Sequence, residues 1–192
     1  CFFLENNNHV NVSKSRLTKN VASNNNGGCI SMKRNSSITI DHSTLKGNTA
    51  FHGDGGCIVG RSNITVGIQH TKIVSNQAGK NGGCMSFGDD TNVDISSCVI
   101  DTNTANQSGG VLNVQNNMVL RISNLVIKHN IAREGNGGFL CSRNEFILHS
   151  KNSAFVGNAA TERNGGCISG SSNGFVSFDN VSFTSNSAGK YG

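Results

Sequence analysis

Apolar positions in this chain recur in blocks of 27 or 28 residues, with no helical stripe. A large aliphatic residue or Phe stands three places before an Asn, and an Ala follows two places after it. This happens seven times: Leu17/Asn20/Ala22, Leu45/Asn48/Ala50, Ile73/Asn76/Ala78, Ile100/Asn103/Ala105, Ile127/Asn130/Ala132, Phe155/Asn158/Ala160 and Phe183/Asn186/Ala188. Each copy leads toward a glycine pair, from Gly27-Gly28 to Gly165-Gly166, and Gly192 falls where the next pair would open. A period this regular marks a solenoid, whose repeats bury a core only by stacking on their neighbours.

Within a repeat the pattern is that of strands. Seven and five places before the Leu/Ile/Phe stand Val10/Val12, Ile38/Ile40, Val66/Ile68, Val93/Ile95, Leu120/Ile122 and Val176/Phe178, an alternation of period two that only Leu148/Ser150 breaks. Two places before it the residue is small or apolar (Ser15, Ser43, Thr71, Cys98, Leu125, Ser153, Val181), continuing the inward set past a bend. After the glycine pair, Phe2, Ile30, Ile58, Met85, Leu112, Leu140 and Ile168 fill one more apolar column. Gly and Asn interrupt every segment before a helix could form. The expectation is an all-β fold: a single-stranded right-handed parallel β-helix of about seven coils, with three short strands per coil, forming one continuous unit over residues 1–192.

Stacked coils sit about 4.8 Å apart, so seven make a rod roughly 30 to 35 Å long. In that geometry Asn20, Asn48, Asn76, Asn103, Asn130, Asn158 and Asn186 form a ladder, each amide satisfying the next. Asn also tolerates the left-handed backbone of a sharp bend, and the glycine pair offers the same freedom at another corner. Length varies at one place only. The Gly that opens the next pair stands five places after Ala22, Ala50, Ala132 and Ala160, but four places after Ala78 and Ala105, and Gly192 stands four places after Ala188. That edge is the expected variable surface. Cys1 falls in the column of Cys29, in mid-repeat, which reads as an excerpt of a longer chain.

Composition agrees with a stacked coil: 24 Gly, no Pro, no Trp and only 14% charged residues. No stretch reads as a signal peptide or membrane span, so direct membrane insertion is not expected. The net charge of +5 is scattered, without a basic stripe interleaved with aromatics, and nucleic acid is not an expected partner.

The glycine and Phe/Asn signatures resemble the repeats of the chlamydial polymorphic outer membrane proteins, built on Gly-Gly-Ala-Ile and Phe-x-x-Asn. Gly27-Gly28-Cys29-Ile30, Gly55-Gly56-Cys57-Ile58 and Gly165-Gly166-Cys167-Ile168 match with Cys in the Ala place, and Phe155-Val156-Gly157-Asn158 and Phe183-Thr184-Ser185-Asn186 match outright. The resemblance covers the whole chain. It implies a right-handed parallel β-helix on a cell surface, often adhesive; the family's translocating barrel is not in this sequence.

Cys1, Cys29, Cys57, Cys84 and Cys167 share one column, interrupted by Val111 and Phe139, while Cys98 and Cys141 stand apart. Two readings apply: small buried apolar residues, or disulfides between neighbouring coils, such as Cys1 with Cys29 or Cys57 with Cys84, in an oxidising compartment. A thiol ladder without a matching His argues against zinc. The six His residues, His9, His42, His52, His70, His129 and His149, read as surface residues without ligand spacing. No cofactor is expected.

Pectin-degrading lyases and hydrolases share this architecture and supply the alternative function. Gly88-Asp89-Asp90 is similar to the paired aspartates of polygalacturonases, but the accompanying Gly-His-Gly and Arg-Ile-Lys elements are absent from the sequence. The outward column Asn11, Thr39, Gly67, Asp94, Arg121, His149, Ser177 puts no carboxylates on adjacent coils, as inverting hydrolysis or calcium-assisted elimination would require. Five Asn-x-Ser/Thr sequons, at Asn11, Asn35, Asn63, Asn106 and Asn180, fit a glycosylated secreted rod. The expected function is an extracellular or cell-surface structural or adhesive scaffold without catalysis, such as a component of a filament or surface appendage. Its expected partners are itself, end to end or laterally, and host-cell or matrix glycans or proteins.

Overall fold

The structure is a computed structural model and describes residues 2–192. It is all-β, a parallel β-solenoid of about seven coils. One coil shows the plan: a 12-residue strand Ile58–Gln69, a three-residue strand Lys72–Val74 and a two-residue strand Gln77–Ala78. The three expected strands per coil are thus present, but unequal. The apolar patch after the glycine pair and the alternating pair run on as one bent strand. The Ala of each coil pairs with the Ala of neighbouring coils. Seven such two-residue strands form a sheet of their own.

Every coil pairs in register with the next. Ile30, Ile58, Met85, Leu112, Leu140 and Ile168 follow one another directly, as do Leu17, Leu45, Ile73, Ile100, Ile127, Phe155 and Phe183. Register is fixed because a slip of one residue would turn each apolar set outward. Ile58, Val66, Ile73 and Ile100 are completely buried. Each contributes about 1.5 to 3 kcal/mol by leaving water.

Four residues per coil take left-handed backbone and make the corners: in one coil Gly55, Asn63, His70 and Ser75, at φ 65°, 53°, 48° and 56°. The sequence suggested that the ladder Asn itself would accept this strain. The structure instead places it on the preceding residue (Lys19, Gly47, Ser75, Thr102, His129, Gly157, Ser185). The reason is directional: the Asn backbone N–H must point along the stack toward the next Asn, so its predecessor makes the turn.

The two glycines of each pair do different work. Gly82 sits at φ 65°, where a side chain is strained. Gly83 has no such dihedral, but a Cβ there would overlap the carbonyl oxygen of Gly110 and the backbone of Thr104. It is needed for close approach of coils rather than for turning.

Candidate functional site

An interior Asn ladder runs continuously from Asn20 to Asn186. Asn48 Nδ2 donates to Asn76 Oδ1 at 2.9 Å, Asn76 to Asn103 at 2.9 Å, Asn103 to Asn130 at 3.0 Å and Asn130 to Asn158 at 2.9 Å. The series is extended by Asn20 to Asn48 at 2.8 Å and Asn158 to Asn186 at 2.9 Å. Each interior amide also donates to a backbone carbonyl of the preceding coil, as Asn76 does to Leu45, and each Oδ1 accepts a second bond from a backbone N–H. Both donors and both acceptor sites of the buried amide are thereby used, which makes five completely buried Asn residues affordable.

Two further ladders escaped the sequence reading. At the corner read simply as small or apolar, Ser43 and Thr71 hydroxyls accept from the backbone N–H of the preceding coil and donate to the carbonyl two residues back. Cys98 stands in for a hydroxyl there, accepting from the Thr71 N–H at 3.4 Å and donating to Ser96 at 3.0 Å. At a third corner Asp54, Asn81, Ser108, Asn136 and Asn164 each donate a backbone N–H to the side-chain oxygen of Asn26, Asp54, Asn81, Ser108 and Asn136. The signal was visible: an Asn, Asp or Ser precedes every complete glycine pair.

The thiols of Cys29, Cys57, Cys84, Cys98, Cys141 and Cys167 are free and buried. Cys1, and any pairing of it with Cys29, lies outside the described residues. A hydrogen bond with Cys57, together with burial, pushes the Cys29 thiol far up; burial alone does so for Cys167. Such thiols stay protonated, apolar and slow to react.

Of the sequon residues, Asn11, Asn35, Asn63 and Asn180 are exposed. Asn35, Asn63 and Asn180 sit at left-handed corners. Asn63 Nδ2 donates to Asn35 Oδ1 at 2.9 Å, and Asn180 Nδ2 to Asn152 Oδ1 at 2.9 Å. Asn106 differs: it is half-buried, and its Oδ1 is enclosed without a partner.

Asp89 and Asp90 lie at a corner of the long strand, each held by an amide of the next coil: Asn116 Nδ2 to Asp89 at 2.6 Å and Asn117 Nδ2 to Asp90 at 2.9 Å. On the outward column, Asp94 faces Arg121 at 3.7 Å. His residues are less scattered than they read. His42 and His70 are one repeat apart and stack with ring centroids 4.4 Å apart, both directed at Asp41. The hydrogen bond with His42 holds the Asp41 carboxyl below its usual range, reinforced by His70.

No protein-family model matches the chain, and no curated protein or solved structure is significantly similar to it. A parallel β-helix repeat architecture is what the coordinates establish. No helix is long and apolar enough to cross a membrane among the described residues.

Proposed function

We propose that this chain is the structural segment of an extracellular or cell-surface protein, a stiff rod whose varied faces engage matrix or host-cell glycans or proteins, or further copies of itself. One contrast carries the reading. The Leu/Ile/Phe, Asn and Ala columns repeat the same chemistry in every coil, whereas the outward column passes through Asn11, Thr39, Gly67, Asp94, Arg121, His149 and Ser177 without repeating. The repeated residues stack the coils, and the varied ones are left to meet partners.

Exposed sequon residues and the likeness to chlamydial passenger repeats support a location outside the cell. That finer kinship is part of the proposal, as is the adhesive role. The test combines glycopeptide mapping of the native protein at Asn11, Asn35, Asn63 and Asn180 with binding of the recombinant rod to glycan and matrix-protein arrays. Glycans on the native chain, or saturable binding lost when Arg121 and His149 are replaced, support the reading. Release of oligosaccharides from polygalacturonate by the purified chain would overturn it in favour of the lyase or hydrolase alternative.

A further inference from the structure

Asp41, His42 and His70 bring one carboxylate and two imidazoles together at a corner shared by two successive coils. His42 Nδ1 lies 2.8 Å and His70 Nδ1 3.2 Å from the same carboxylate oxygen, and the ligand atoms of all three residues lie within 4.8 Å of one another. We propose that this corner binds a divalent transition-metal ion of the zinc or copper class through two imidazole nitrogens and the Asp41 carboxylate.

Two of the donor separations, 2.8 and 3.2 Å, are close to those of a coordination sphere, and the third lies within 4.8 Å. A metal about 2.0 to 2.2 Å from each donor sets neighbouring donors about 2.9 to 3.4 Å apart. A cation entering here replaces the contacts between the imidazole nitrogens and the Asp41 carboxylate. Two imidazoles and one carboxylate select Zn2+, Cu2+ or Ni2+ over Ca2+ and Mg2+, which prefer all-oxygen shells. His42 and His70 are exposed and Asp41 is half-buried, so the ion has a path in and water can complete its shell.

The donors are also preorganised by the fold. His42 and His70 occupy equivalent left-handed corners, at φ 46° and 48°, in coils whose register is fixed on both sides of the bend. The next corner of the solenoid provides a built-in contrast. Asp101 meets His129 at 3.4 Å there, but the amine of Lys128 lies 3.4 Å from the same carboxylate and takes the place of a second imidazole. That corner carries its own cation, and no metal is expected there. A metal at Asp41 would clip the second coil to the third.

The fold itself supplies substitutions that it tolerates. Ser97 and Asn124 stand at the corner of His42 and His70 in later coils, and Ser96 and Ser123 stand in the column of Asp41. His42→Ser, His70→Asn and Asp41→Ser therefore change the donors without changing the bend. Calorimetric titration of the full chain with Zn2+ alone should give one ion per chain. Each variant removes a direct donor and should weaken it by at least the roughly 10- to 100-fold that losing an outer-shell partner costs, while His129→Ser leaves it unchanged. With Cu2+ the paramagnetic resonance spectrum should show coupling to two nitrogens, reduced to one in His70→Asn. Absence of saturable binding, unchanged affinity in the His42→Ser/His70→Asn double variant, or loss of binding in His129→Ser would overturn the assignment.

Discussion

Asn76 donates its Nδ2 to Oδ1 of Asn103 at 2.9 Å while its backbone N–H donates to the same oxygen at 3.0 Å. One side-chain oxygen thus satisfies two buried donors of the preceding coil. In strands the backbone alone would link the coils; at this corner the chain has turned, and the amide replaces the missing strand bond. The ladder therefore sets how sharply the solenoid can bend without leaving polar groups unpaired.

Asn103→Ala removes the acceptor for both donors of Asn76, and water cannot reach either. Each orphaned buried group costs about 1 to 3 kcal/mol, so the variant should lose about 2 to 6 kcal/mol. Asn20→Ala removes the half-exposed member at one end of the described series and should cost clearly less. Urea unfolding of the two variants measures the difference. Equal losses would mean that the ladder does not carry interior stability.

Gly83 and Gly67 should respond in opposite directions to the same change. A methyl at Gly83 runs into the backbone of Gly110 and Thr104, which cannot step aside without parting the coils. Gly83→Ala should therefore be severely destabilising. Gly67 faces outward, and its nearest contact for a Cβ is the Thr39 Cγ2 at 4.0 Å. Gly67→Ala should stabilise by about 0.4 to 1 kcal/mol by restricting the unfolded chain. Thermal unfolding of both variants checks the pair, and a neutral Gly83→Ala would refute the close-approach role.

Much of this architecture was legible because stacking writes each structural requirement seven times. The Leu/Ile/Phe and Ala columns could be read directly, since only apolar or small side chains fit between coils. Corner chemistry was harder. Ser15, Ser43 and Thr71 share a column with Leu125 and Val181, and averaging them as small or apolar concealed the hydroxyls that cap backbone N–H groups. The Asp41, His42 and His70 cluster was missed for a different reason. Ligand spacing was sought along the chain, whereas in a solenoid residues 28 apart are neighbours.

Cys98 separates the two roles a cysteine can take here. Cys98→Ser should preserve the bond from the Thr71 N–H and the bond to Ser96, and stability should be kept or raised, because a hydroxyl is the stronger partner. Cys98→Ala leaves the buried Thr71 N–H without its side-chain acceptor and should cost about 1 to 3 kcal/mol. Hydrogen exchange at the Thr71 amide gives the local readout. Faster exchange in Cys98→Ala, but not in Cys98→Ser, is the expected result; equal rates would reduce Cys98 to a packing residue.

The buried thiol column makes stability sensitive to alkali. Cys29 keeps its proton in the fold because of its hydrogen bond with Cys57 and its burial, and Cys167 because of burial. In the unfolded chain the same thiols ionise near their ordinary pKa of about 8.5. Folded values raised above unfolded ones mean that the contribution is complete below about pH 8.5 and declines above it. Each such thiol adds a slope of about 1.4 kcal/mol per pH unit, continuing as far as the raised folded value. Val111 already occupies this column, so Cys29→Val and Cys167→Val should preserve the packing while removing one titrating group each. Urea midpoints followed from about pH 8 to about pH 10 should fall less steeply in both variants than in the native sequence. Parallel curves would show that these thiols are already ionised in the fold, or bonded to another sulfur in the unfolded chain as well.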